Sequence, residues 1–257
     1  MTNDPKFTAP SRRTLLAAPG RREILKGMGG LGLAAALGSS FGARTALAAI
    51  KPGPNAVLLV IDVQNCFLPG GTLPVKEGDR IVPIINALGK KFANVIFTQD
   101  WHTPHHTSFA SSHPGKKPFE TVQLSYGTQV LWPDHCVQGS DDAKLAAGLD
   151  IPHAQLIIRK GYHNEIDSYS TFLAADKKTK TGLTGYLMER GLTDVYACGL
   201  ATDFCVSWSA IDAAHNKLTV SVIEDACRGI DLNGSVAAAW KAMAAAGVKR
   251  VQSKDIA

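Results

Sequence analysis

Six short runs of apolar residues punctuate the chain: Ala56–Ile61, Asn94–Thr98, Gln155–Ile158, Val195–Cys198, Leu218–Ile223 and Val248–Val251. Several are unbroken and rich in β-branched side chains. A strand with one wet face alternates apolar and polar residues, whereas a strand buried on both faces of a parallel sheet does not. Between the runs, helical spacing recurs at Asp79–Phe92, Thr181–Arg190, Asp203–His215 and Ser235–Ala246. Strands alternating with helices predict an α/β protein, a three-layer Rossmann-like fold with a six-stranded, mostly parallel sheet and helices on both faces. One stretch breaks the pattern. Trp101–Asp150 is rich in Pro, Gly, Ser and His and has little periodicity. A long irregular segment in an α/β domain is usually functional.

The first 48 residues follow a different logic. Gly20–Lys26 reads GRREILK, the segment Gly27–Gly42 is Gly/Ala/Leu-rich, and Ala46-Leu47-Ala48 offers an A-x-A cleavage site. Charged, apolar and cleavage regions in that order describe a signal peptide, and the arginine pair resembles a twin-arginine signal. The apolar segment is too short and too weakly apolar to span a bilayer as a stable helix, so no stable membrane insertion is expected. An uncleaved anchor is the alternative. A second pair, Arg12-Arg13, lies upstream and leaves the true start open. The expected organisation is a signal peptide over residues 1–48 and one domain over 49–257. The product would be periplasmic or exported, with the twin-arginine export machinery as a partner.

Charge supports that division. The 257 residues carry 27 Lys/Arg and 22 Asp/Glu. Seven of those bases and two of those acids fall in residues 1–48, leaving 20 of each in the rest. A neutral domain lacks the basic surface that a nucleic-acid partner requires. The five cysteines show no CxxC spacing, and an odd number leaves at least one unpaired even in an oxidising compartment.

Candidate chemistry gathers at the ends of the expected strands. Asp62 follows the first, Asp100 the second and Lys160 the third; the fourth leads into Cys205, and the fifth ends at Asp225. Open parallel sheets bind ligands at the carboxyl ends of their strands, so Asp62, Lys160 and Cys205 are expected to share one crevice. Cys205 falls in the first turn of a helix, with Thr202 or Asp203 as N-cap. There the helix dipole and a nearby ammonium would depress the thiol pKa. The trio would supply a nucleophile, a cation and a general base. A buried structural cysteine, a surface lysine and an N-capping aspartate are the plainer alternatives.

Seven of the eight histidines lie between His102 and His163. Asp100 and His102 stand two residues apart, on one side of an extended segment. His105, His106, His113 and His135 are candidates to complete a site for one divalent metal ion, Zn, Fe or Mn. A solvated polar loop is the alternative.

Five segments, in order, carry a resemblance: IDVQNCFLPGGTLPV from Ile61, TQDWHTPHHTSFASSHPGKKPFE from Thr98, LWPDHCVQGS from Leu131, RKGYHNEIDSYSTF from Arg159 and GLATDFCVSWSAIDA from Gly199. Together they resemble the bacterial nicotinamidase/pyrazinamidases, a branch of the isochorismatase-like cysteine hydrolases, over about residues 55–255. The resemblance implies an Asp–Lys–Cys triad at Asp62, Lys160 and Cys205. It implies metal ligands at Asp100, His102 and His135, with Ser108 at a position where some relatives place a further histidine. His105, His106 and His113 then fall outside the ligand set. It implies a cis peptide at Leu200–Ala201, an oxyanion hole from the N–H groups of Ala201 and Cys205, and a ring pocket lined by Phe67, Leu73, Trp132 and Tyr169. One departure stands out: the family often reads DVQNDF, and Cys66 replaces the second Asp. That puts a second thiol near Cys136 and leaves open whether the two pair.

The implied activity is hydrolysis of nicotinamide to nicotinate and ammonia through a thioester, with pyrazinamide as a further substrate. A related cysteine hydrolase acting on a ureido or carbamoyl amide is the nearest rival; those branches generally lack the metal residues. A true isochorismatase lacks the nucleophilic cysteine. An exported metal-binding protein is the non-enzymatic alternative. The sequence leaves a homo-oligomer open.

Overall fold

The computed structural model describes residues 49–257; the expected signal peptide lies outside the described residues. Strand β1 (Ala56–Ile61) is buried at all six positions, as its unbroken AVLLVI run requires. It pairs in parallel with β2 (Asn94–Asp100) on one side and with β6 (Asp194–Leu200) on the other. With β5 (Leu156–Lys160), β7 (Thr219–Arg228) and β8 (Lys249–Val251), they form a sheet of order β5-β2-β1-β6-β7-β8. Every pairing in it is parallel.

After β1 the chain moves outward to β2 and β5; after β6 it moves the other way to β7 and β8. Right-handed crossovers in opposite directions put their helices on opposite faces. Helix α1 (Val82–Gly89) packs against β1 and β7, α3 (Ser207–His215) against β7, and α4 (Ser235–Ala245) against α3 and β8. A shorter helix, α2 (Leu183–Glu189), precedes β6. The order reverses between β1 and β6, which opens a crevice at their carboxyl ends.

Three features depart from the pattern reading. Asp100 and Lys160 are the last residues of β2 and β5 rather than residues beyond them. β7 continues past Asp225 to Arg228, with an irregularity in its pairing to β6 between Ala197 and Gly199. Within the irregular segment, β3 (Thr121–Leu124) and β4 (Gly127–Val130) form a separate antiparallel hairpin. Its alternation was present in TVQLSYGTQV but stood among turn-forming residues. The rest of that segment folds over the crevice through isolated bridges, His102 with Val137 and Phe109 with Trp132.

Candidate active site

Three neighbouring strand ends, those of β1, β2 and β5, deliver the charged residues. Asp62 leaves β1 in a left-handed conformation, φ 50°. Its N–H donates to Thr98 Oγ1 at 3.1 Å, and the Thr98 hydroxyl donates back to Oδ1 at 2.5 Å. This fixes one carboxylate oxygen and leaves Oδ2 facing Lys160 Nζ at 2.8 Å. Oδ2 receives no hydrogen bond of good direction within the protein. Lys160 is fully buried. Its ammonium donates to Asp100 Oδ1 at 2.5 Å, to the Ser168 carbonyl at 3.0 Å and to Cys205 Sγ at 3.3 Å. The thiol and one oxygen each of Asp62 and Asp100 lie within 4.8 Å of one another.

A buried ammonium survives only when opposite charge surrounds it. Burial opposes the charge on Lys160, but Asp100 and Asp62 outweigh it and hold the pKa well above its ordinary value. For Asp62, burial and the nearby Asp100 win over Lys160 and raise the carboxyl pKa. Cys205 corrects the sequence reading. Burial pushes its thiol well up, and Lys160 opposes this without reversing it. Nor does the residue sit in an ordinary first helical turn. Thr202–Val206 forms a π-helical turn ahead of α3, and neither Thr202 nor Asp203 caps it by a side chain. Burial thus favours the thiol form, which calls for a neighbouring base to take its proton.

Asp203 does other work. Its carboxylate accepts the N–H groups of Ile230 and Asp231 and the hydroxyl of Ser235, at 3.0, 2.8 and 2.5 Å. This draws the chain ahead of α4 over the crevice and places Ile230 in the pocket wall. Asp203→Ala is expected to lower stability by about 2–4 kcal/mol, since three donors lose a charged acceptor. Urea unfolding checks this, and an unchanged midpoint contradicts it.

Beside the triad, Asp100 Oδ2 faces His102 Nε2 at 3.7 Å and His135 Nε2 at 3.9 Å. His102 Nδ1 lies 2.9 Å from the Gly161 carbonyl, and His135 Nδ1 2.8 Å from that of Pro133. A carbonyl only accepts, so each Nδ1 carries the proton and each Nε2 lone pair points to the shared space. Gly161 is required here: at φ +66°, a Cβ would stand 2.6 Å from the His102 ring. Burial, with His102 adding to it, lowers His135 to about 4 and keeps it neutral. On His102 burial is outweighed by the Asp100 carboxylate, which raises its pKa. Two imidazole nitrogens and a carboxylate oxygen within 4.8 Å, all buried, fit a divalent metal ion.

Of the other three candidate histidines, two are hydrogen-bonded outside this cluster. His106 Nε2 donates to the His163 carbonyl at 3.0 Å, and its Nδ1 accepts from the Ser108 hydroxyl at 2.8 Å. His113 donates to the Thr107 carbonyl at 2.8 Å. His105 is exposed.

Cys205, Ala201, Asp100, His102 and His135 line one pocket with Phe67, Leu73, Trp132 and Tyr169. Ala201 follows a cis peptide from Leu200. Trp132 meets the ring of Phe204 edge-on at 4.8 Å, and its indole N–H donates to the Tyr169 hydroxyl at 3.0 Å. The sequence reading missed several supports. Gln64 holds β1 to β2: its amide donates to the Asp100 carbonyl at 2.9 Å and accepts the Asp100 N–H at 2.8 Å. Gln129, from the unforeseen hairpin, donates to Asp167 at 2.7 Å and to Tyr169 at 3.0 Å. Asp167, Phe204 and Ile230 complete the wall. Nothing local marks these residues, because their partners are distant in sequence. Cys66 and Cys136, whose pairing was open, are joined by a disulfide.

The Isochorismatase domain profile matches residues 56–255. The chain belongs to this family. Within it, the chain is 58% identical over 207 residues to the nicotinamidase of Acinetobacter baylyi, covering 80% of this chain and 97% of that protein. A solved nicotinamidase/pyrazinamidase of Acinetobacter baumanii is 59% identical, with TM-score 0.78, covering 79% of this chain and 98% of that one. The pyrazinamidase of Pyrococcus horikoshii, solved in complex with zinc, is 33% identical with TM-score 0.64, covering 77% and 99%. Isochorismatase-family geometry thus places a thiol and a metal-competent cluster in the wall of one cavity, with the buried Lys160 ammonium 3.3 Å from the thiol.

Proposed function

We propose that this chain is a nicotinamidase, an amidohydrolase that converts nicotinamide to nicotinate and ammonia and also accepts pyrazinamide. One observation carries the reading: Cys205 Sγ lies 3.3 Å from an ammonium that also faces Asp62 Oδ2 at 2.8 Å, beside the Asp100–His102–His135 cluster in the same pocket. The similarity to the nicotinamidases supports the substrate.

In this account Cys205 is the nucleophile. Asp62 Oδ2, the carboxylate oxygen left without a well-directed hydrogen bond, takes the thiol proton. The raised pKa of Asp62 suits a group that must accept a proton and return it. Lys160 stabilises the thiolate as it forms. Sγ attacks the carboxamide carbon, and the N–H groups of Ala201 and Cys205 receive the developing oxyanion. Such donors are typically worth about 3 kcal/mol each. Asp62 then protonates the leaving ammonia, and water cleaves the thioester to nicotinate. Phe67, Leu73, Trp132 and Tyr169 hold the ring, chiefly by burial of aromatic surface. Asp100, His102 and His135 would hold the metal, Zn, Fe or Mn. When bound, the ion supplies a Lewis-acidic anchor for the ring nitrogen and is not the source of the nucleophile.

Stripping the metal with a chelator is expected to lower kcat/KM for nicotinamide by at least about 100-fold, the effect of several kcal/mol of positioning. Adding back each of Zn²⁺, Fe²⁺ and Mn²⁺ and measuring ammonia release identifies the effective ion. Full activity in a chain shown to be metal-free contradicts the assignment. The proposal extends to location: residues 1–48 direct export and are removed near Ala48. The N-terminal sequence of the protein recovered from the periplasm tests this.

A further inference from the structure

Cys66 and Cys136 take no part in the chemistry above, yet each adjoins a residue of the pocket. Cys66 precedes Phe67, and Cys136 follows His135. Their disulfide spans 70 residues of sequence and joins the 3-10 turn Asn65–Phe67 to the loop carrying His135. Both half-cystines are fully buried. That loop belongs to no strand of the sheet and meets its neighbours through isolated bridges. Other bonds converge on the same point. The Cys66 N–H donates to the Asp142 carbonyl at 2.8 Å, and the Cys136 N–H to Asp142 Oδ2 at 3.1 Å. The Cys136 carbonyl accepts the His102 N–H at 3.1 Å. Cys136 therefore adjoins one imidazole of the cluster and is bonded to the backbone of another. The rings of Phe67 and His135 stand 5.6 Å apart across the crosslink.

We propose that the Cys66–Cys136 disulfide is a positioning device that presses the His135 loop against the Phe67 turn, so that metal affinity and order in the ring pocket depend on the oxidation state of the chain. The proposal rests on the reading of Asp100, His102 and His135 as metal ligands. The triad needs no such device. Asp62 and Lys160 sit at the ends of hydrogen-bonded strands and Cys205 in the turn that follows β6, whereas His135 sits on a loop. Closing the bond turns two thiols into one disulfide and passes two protons and two electrons to an oxidant. A disulfide-bearing oxidant supplies this, its own disulfide becoming two thiols. Such exchange is favoured in exported proteins, which fits the expected signal peptide. Cys198, Cys205 and Cys227 remain free and buried.

The test uses the purified full chain and has a readout apart from activity. Free thiols are counted in unfolded, unreduced protein, and Mn²⁺ binding to metal-stripped protein is followed by calorimetry. The forms compared are oxidised, phosphine-reduced and Cys66→Ala, with Cys198→Ala as control. Three free thiols are expected before reduction and five after it. Reduced protein and Cys66→Ala are expected to bind Mn²⁺ at least about tenfold more weakly, the scale on which supporting groups around a metal act. Their KM for nicotinamide should rise, with kcat at saturating metal little changed, while Cys198→Ala matches the oxidised protein. Five free thiols without reduction overturn the proposal. So does equal Mn²⁺ affinity in the oxidised and reduced forms, which leaves the metal reading intact. Absence of Mn²⁺ binding in both forms overturns the two together.

Discussion

Cys205→Ala is expected to lower kcat for nicotinamide hydrolysis by at least about 10⁴-fold, since removing a nucleophile eliminates the covalent route altogether. The residual rate would come from binding and from the oxyanion donors alone. The side chain is small and Lys160 keeps its bonds to Asp100 and Ser168, so stability should change by no more than about 1 kcal/mol. Metal affinity should be retained, because the Nε2 atoms of His102 and His135 face Asp100 rather than the sulfur. Single-turnover mass spectrometry adds a second reading: the wild type should carry a thioester on the peptide containing Cys205, and the variant should carry none. Activity within tenfold of wild type would remove the thiol from the mechanism.

Lys160→Met should damage both stability and activity. The ammonium faces two buried carboxylates and a thiol, and it donates to Asp100, Ser168 and Cys205. Deleting one member of a buried ion cluster typically costs about 3–5 kcal/mol, because the remaining charges stay out of water without compensation. For a domain of this size, that corresponds to a Tm lower by roughly 10 °C. The thiolate also loses its counter-charge, so kcat should fall by about 10²–10³-fold in whatever protein folds. Thermal unfolding followed by assay below the new Tm separates the two effects. A variant as stable and as active as wild type would show that Lys160 neither balances Asp62 nor supports the thiolate.

The strands were legible because burial on both faces of a parallel sheet leaves unbroken apolar runs such as AVLLVI at Ala56. The crevice followed from the sheet, since parallel strands must end on one side. What the sequence hid was set by distance or by competition. β7 was read short because EDAC mixes charge with small residues, yet it pairs on to Arg228 beside β6. The β3–β4 hairpin was lost among turn formers, and with it Gln129, whose partners Asp167 and Tyr169 lie some 40 residues away. Asp203 read as a cap because it opens a helical pattern, but three donors near α4 claim its carboxylate. The thiol pKa went the opposite way from expectation because Lys160 and the helix suggest stabilisation, whereas complete burial, invisible in one dimension, dominates. The sequence puts Cys66 and Cys136 near one another, but the 5.7 Å between their Cα atoms is set by the packing of two segments 70 residues apart.

We propose that this isochorismatase-family chain uses its metal-competent thiol pocket on nicotinamide. The most direct test is release of ammonia and nicotinate from nicotinamide by the metal-loaded full chain, beside a ureido compound at the same concentration. Equimolar ammonia and nicotinate are expected from nicotinamide, with kcat/KM far above that for the ureido compound. A folded, metal-loaded chain that leaves nicotinamide intact while hydrolysing the ureido compound would contradict it.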